Sequence, residues 1–268
     1  MAARASRRLI GDLATLAVAL VLAVLGARTA LADQPTGAVV ARMDELWEQR
    51  EAPNSMPDLM TIGAEGAARA ADPYEIEWRL ARAYFWVAYT QNNRVTKRGI
   101  AGKAVEWADR ARVHRADRVE GHYFYAVAIG AYADCIGVMQ AVMEGIVSRF
   151  ETAARRAYEI DRDFEHGAPM TMLGRYYYLL PWPKRDLDRS RRYIEEATRR
   201  HPGALIAHVY LADTYFALGE RAKAQSELEF ALENQPEPGS ERDLPPPKPL
   251  ARAAMQRWFP EAVAAGRH

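Results

Sequence analysis

The chain has 268 residues and a formal net charge of +1, with 36 Lys and Arg against 35 Asp and Glu, so it lacks the basic surplus that nucleic-acid backbone binding needs. With 49% hydrophobic and 10% aromatic residues it can bury enough apolar surface to offset chain entropy, which excludes a disordered chain. A single Cys excludes a disulfide framework and any metal site built from several thiolates.

Residues 1–32 read as an export signal peptide. Arg4, Arg7 and Arg8 precede an apolar run over residues 13–25, and Ala30-Leu31-Ala32 fits the small-residue cleavage pattern before Asp33. The run is shorter than the roughly 20 residues that span a bilayer, and Arg28 follows it, so the membrane enters only through the transient signal. Ser6-Arg7-Arg8-Leu9-Ile10 looks like a twin-arginine signal, which leaves the Sec and twin-arginine routes both open. No Cys follows Ala32 to carry a lipid. Cleavage removes four basic residues and one acidic residue and leaves 32 basic against 34 acidic, a mildly acidic chain expected to be soluble in the periplasm or otherwise exported.

Beyond Asp33 the apolar residues recur at helical spacing and no alternating stretch reads as a strand, so the fold class is all-α. Residues 33–73 are expected to form capping helices, with Met43, Leu46 and Trp47 as their apolar stripe. In the window 204–236, Leu211, Ala212, Tyr215, Gly219, Ala224, Leu228, Ala231 and Pro236 stand at the spacing of a tetratricopeptide (TPR) repeat. The alanines let two antiparallel helices approach, Tyr215 and Leu228 fill the space between them, and Gly219 turns the chain.

Three earlier windows repeat the pattern. Leu173, Gly174 and Tyr177 pair with Ile194, Ala197 and Pro202 across a turn broken by Pro181-Trp182-Pro183. Leu80, Ala81 and Tyr84 pair with Ala104, Ala108 and Ala111 across an expected enlarged loop at residues 92–102. Tyr125, Ala126 and Ile129 pair with Ala154 and Ala157 around an insertion of about a dozen residues on the standard repeat. The expectation is a right-handed superhelix of about four TPR-like hairpins over residues 74–236. Six prolines within residues 236–249 read as an extended linker, and Met255, Trp258 and Phe259 as a short capping helix, so residues 237–268 close the array.

No chemistry stands out. The six histidines, at 114, 122, 166, 201, 208 and 268, form neither H-E-x-x-H nor an i, i+4 pair, so no metal site is expected. Asp161, Asp163 and Glu165 start like a calcium loop, but the sixth position is His166 and the closing position Met172, which suits a polar turn between helices. Cys135 lies among apolar residues, and no phosphate loop, dinucleotide fingerprint or G-x-S-x-G occurs. No cofactor and no enzymatic activity are expected.

Two segments invite function. The first is the insertion at residues 126–147, where Ala133, Gly137, Ala141 and Gly145 would form a smooth i, i+4 stripe beside Cys135, Met139 and Met143. It reads either as core of the second hairpin or as the wall of an apolar ligand tunnel or a self-association surface. The second is the concave face, onto which the repeat register projects Trp78, Arg82, Phe85, Tyr123, Val127, Arg175, Tyr178, Val209, Asp213 and Phe216. Aromatics interleaved with Arg suit an extended peptide or a neighbouring protein.

The run Gly167-Ala168-Pro169, Leu173-Gly174-Arg175, Tyr176-Tyr177, Leu180-Pro181-Trp182-Pro183, Ser190 and Glu195-Glu196-Ala197 resembles the T-component (TatT-like) family of TRAP, or tripartite ATP-independent periplasmic, transporters. That resemblance implies a periplasmic TPR-like protein that docks the TRAP solute-binding protein, handles an apolar or amphipathic small ligand, and assembles as a homotrimer. The alternative is a general TPR interaction scaffold in envelope assembly or quality control.

Overall fold

The computed structural model describes residues 36–240 and 245–264; the expected signal peptide lies outside the described residues. Those residues contain thirteen helices and no strand. Two short helices, α1 (Thr36–Glu48) and α2 (Ser55–Ala67), pair and pack on α3 (Tyr74–Tyr89). Then α3 pairs with α4 (Arg94–His114), and α5 (Val119–Ile136) pairs with α7 (Ile146–Ile160) across the short α6 (Val138–Met143). Next α8 (Phe164–Leu179) pairs with α9 (Leu187–Arg200), and α10 (Leu205–Ala217) with α11 (Arg221–Glu233). Finally α12 (Pro247–Trp258) packs on both α10 and α11, and α13 (Pro260–Ala264) packs on α12. This is a TPR-like superhelical solenoid.

Small residues set the helix spacing. Ala104, Ala108 and Ala111 on α4 and Ala81, Ala83 and Ala88 on α3 have no exposed surface. Between α4 and α5 the approach is closer still: a Cβ on Gly121 would stand 2.6 Å from the backbone nitrogen of Arg112. At the α8–α9 crossing a Cβ on Gly174 would meet Ile194 and the backbone oxygen of Ser190. Larger side chains then fill three successive cores. Val39, Met43, Leu59, Ile76 and Leu80 form the first, Trp78, Phe124, Ile129 and Leu173 the second, and Met170, Ile194, Leu211, Leu228 and Met255 the third.

Three local expectations are corrected. Residues 92–102 are not an enlarged loop: α4 begins at Arg94, and the Asn93 side chain accepts hydrogen bonds from the Val95 and Thr96 amides as its N-cap. The insertion is not one helix, because Gly137 (φ 89°) and Gly145 (φ 67°) both take left-handed backbone angles and bracket α6 as breaks. The prolines of the last linker are partly helical, since Pro247 opens α12, where a missing N–H costs no hydrogen bond. Likewise, Pro169 does not break α8. Glu165, His166 and Gly167 turn left-handed, so the regular helix begins after them and Pro169 sits in its first turn.

Candidate interaction face

The first helices of the hairpins stand next to one another, α3 against α5 and α8 against α10. On α8, Arg175 donates from Nη1 to Oδ2 of Asp213 on α10 at 2.5 Å. Its guanidinium lies 4.8 Å from the ring centroid of Tyr178 and 4.3 Å from that of Tyr210. Burial raises the Asp213 carboxyl above its ordinary value, with Arg175 and the more distant Arg257 opposing the rise.

Tyr210 lies under the Arg175 guanidinium. Burial raises its phenol to about 12, against the pull of Arg175, and the negative charges of Asp213 and Asp134 add to the rise. Tyr89 ends α3 and Asp134 lies in the last turn of α5. Asp134 is open to solvent, yet enough protein surrounds it that lost hydration raises its carboxyl, with Lys97 opposing. Sequence reasoning missed Tyr89, Asp134 and Tyr210, although Tyr89 and Tyr210 lie one helical turn and Asp134 two turns from an expected face residue.

At the other end of the face, Arg82 lies over the rings of Trp47 and Trp78, at 4.1 and 5.0 Å from their centroids. Burial pushes its guanidinium down to about 10, although Asp44, 3.3 Å away, and Glu165 favour the charge. The Arg82 Nε is buried and has no hydrogen-bond partner among the described residues.

The other expected face residues are placed less openly. Trp78 is buried and stacks on Phe124, and Val209 is buried in the third core, so neither presents a contact surface. Tyr123 is half-buried, edge-on to Phe124 and Phe164. Phe85 and Val127 are half-buried, Phe85 beside Tyr89. Phe216 is covered by α12: its ring stacks on Trp258 at 4.2 Å. A first helix of a solenoid must pack on both neighbours as well as face outward, and a repeat register does not separate those directions.

The insertion residues divide in the same way. Cys135 and Ala141 are buried, Ala133, Gly137 and Gly145 half-buried, and Met139 and Met143 are 76% and 80% exposed. The smooth stripe therefore does not form; the glycines end helices instead of joining them. What remains is a shallow open depression lined by Ile136, Gly137, Met139, Gln140, Met143 and Glu144.

Among the described residues one group of side chains converges as a metal site would: His166, His201 and Glu237, each offering a donor atom within 4.8 Å of the others. Asp163, expected in a polar turn, pairs with Arg200 and with His201.

Residues 39–186 match the model of the family described as regulator of microtubule dynamics protein 1-3. The fold is similar to the crystal structure of TTC0263, a TPR protein of Thermus thermophilus, with a TM-score of 0.59 and 14% identity over 82% of this chain and all of that one. A crystal structure of MamA gives a TM-score of 0.48 at 16% identity over 69% of this chain and 91% of that one. No curated protein sequence matches the chain.

Proposed function

The chain belongs to the regulator of microtubule dynamics protein 1-3 family, and from that premise we propose that it is a non-enzymatic TPR-like scaffold whose first-helix face holds an extended segment of a partner protein. The observation that carries this reading is the Arg175–Asp213 pair set between the rings of Tyr178 and Tyr210, one charged and aromatic patch built from two adjacent hairpins. Stacking surfaces beside a charged fork are what a bound peptide uses for affinity and register. The family's name carries a cytoskeletal role. With residues 1–32 read as an export signal, the proposal for this chain is an exported scaffold, and what it shares with the family is the helical platform.

A photo-crosslinking residue at Tyr178, on this face, tests the reading against one at Val113, which is 69% exposed on α4. A partner adduct at position 178 and none at 113 is the expected result. Equal labelling at both positions would contradict it.

A narrower reading is an accessory role beside a TRAP-type transporter, docking its solute-binding protein. The exposed Met139 and Met143 beside Ile136 favour it, because a pliable thioether surface accepts varied apolar partners. Native mass spectrometry of residues 33–268 from the host separates the readings. A trimer, an apolar ligand or a co-purifying solute-binding protein supports the accessory role, and a ligand-free monomer leaves the general scaffold.

A further inference from the structure

We propose that His166, His201 and Glu237 form a site for one first-row divalent transition-metal ion, of which zinc is the first expected occupant, and that this ion fastens the segment after the last hairpin to the repeat array. Nδ1 of His166 lies 3.6 Å from Oε2 of Glu237, and Nδ1 of His201 lies 3.8 Å from Oε1. Two imidazoles and one carboxylate are a donor set that zinc takes with a fourth position left to water. Tetrahedral ligands about 2.0–2.1 Å from zinc stand about 3.4 Å apart. The two contacts run to different oxygens of the carboxylate, and with one donor atom taken from each residue all three lie within 4.8 Å of one another, so the site closes by a small movement of the side chains.

The groups behind the donors are arranged as a metal requires. Nε2 of His201 lies 2.9 Å from Oδ1 of Asp163, the carboxylate-to-histidine contact that fixes a ligating ring and turns its other nitrogen to the ion. Asp163 is itself held by Arg200. Glu237 is positioned through its backbone, its amide donating to Gly203 O at 3.0 Å, two residues beyond His201. A side chain at Gly203 would collide with Glu237, since a Cβ there would lie 2.9 Å from its amide nitrogen.

Two observations point to a ligand rather than to an ordinary ion pair. Oε2 of Glu237 is buried and accepts no hydrogen bond from any described residue, its nearest imidazole nitrogen being that of His166 at 3.6 Å, so the oxygen is left free to coordinate. His166 also sits in a left-handed conformation (φ 55°) within three consecutive positive-φ residues, a cost that a histidine bears only where its surroundings hold it there. That turn brings the ring to Glu237, and the bare Cα of Gly167 makes room for the His201 ring, which a Cβ would meet at 2.9 Å.

Isothermal titration with Zn²⁺ alone, on the chain from residue 33 onward, tests the site. One ion per chain is expected, with a rise in Tm, and the affinity falls at least 10-fold in both His166→Asn and Glu237→Gln. Asn tolerates the left-handed backbone, so the fold is kept. Asp163→Asn lowers affinity about 10- to 100-fold through the orientation of His201. His114→Gln, at an exposed histidine elsewhere, leaves it unchanged. A second readout needs no variant: Zn²⁺ should protect His166 and His201 together from diethylpyrocarbonate, read by peptide mass. Absence of stoichiometric binding, unchanged affinity in both ligand variants, or no joint protection would overturn the assignment.

Discussion

Arg175 and Asp213, 38 residues apart in the chain, meet at 2.5 Å between α8 and α10, and the guanidinium that makes this pair also covers the ring of Tyr210. The contact ties two adjacent hairpins together and places a charged fork on the proposed face. Arg175→Met should therefore leave a partly buried carboxylate without its partner and destabilise the fold by about 1–3 kcal/mol. Adding Asp213→Asn to that variant should recover part of the loss, and a double-mutant cycle by urea unfolding should give a coupling of about 0.5–3 kcal/mol. Strict additivity would show that the pair contributes nothing as a pair.

Gly121 lies where α5 crosses α4 against backbone, which cannot rotate away as a side chain can. Gly121→Ala is expected to lower the unfolding free energy by about 1–3 kcal/mol through overpacking. A variant as stable as the wild type would mean that the two helices can separate without loss.

Gly137 makes the opposite case, because nothing stands within 4 Å of where its Cβ would be, yet its φ is 89°. Its cost on substitution is conformational, about 1–3 kcal/mol, because with ψ at 157° the residue occupies an extended positive-φ region that is essentially confined to glycine. Gly137→Ala and Gly137→Leu should then lose nearly equal stability in denaturant melts. A much larger loss for Leu would point to a packed neighbour.

Acid should act through Glu120. Burial alone would raise its carboxyl, but hydrogen bonds from Arg118 and from the Tyr74 hydroxyl, the latter at 2.6 Å, outweigh it and hold the folded value below the ordinary 4.5. A lowered folded value stabilises the fold above about pH 4.5 and loses that contribution as pH falls through the folded value. Between pH 6 and pH 3, Glu120→Gln should show a shallower decline of the urea midpoint than the wild type. An identical decline would place the acid sensitivity elsewhere.

The hairpins were legible in the sequence because alanine and glycine at close crossings are required by geometry, as at Ala104, Ala108 and Gly174. The start of α4 was not. Val95 there is 82% exposed, and Gly99 faces open space, so the two turns before Ile100 and Ala101 place no residue in the core and leave no apolar rhythm to read. The break at Gly137 was hidden for the opposite reason, since small residues at i, i+4 spacing look alike whether they join helices or end them. The direction of Phe216 depended on α12, which returns from outside the repeat to cover α10. His166, His201 and Glu237 are separated by 35 and 36 residues, about one repeat each, so no local motif could assemble them.

The central claim is that the face around Tyr210 holds a partner. The most direct measurement is native mass spectrometry of the wild-type chain and of Arg175→Glu, both purified gently from the host, with circular dichroism to show that the variant keeps its helices. The account predicts a defined partner bound to the wild type and missing from the variant. The same partner on both, in the same proportion, would contradict it.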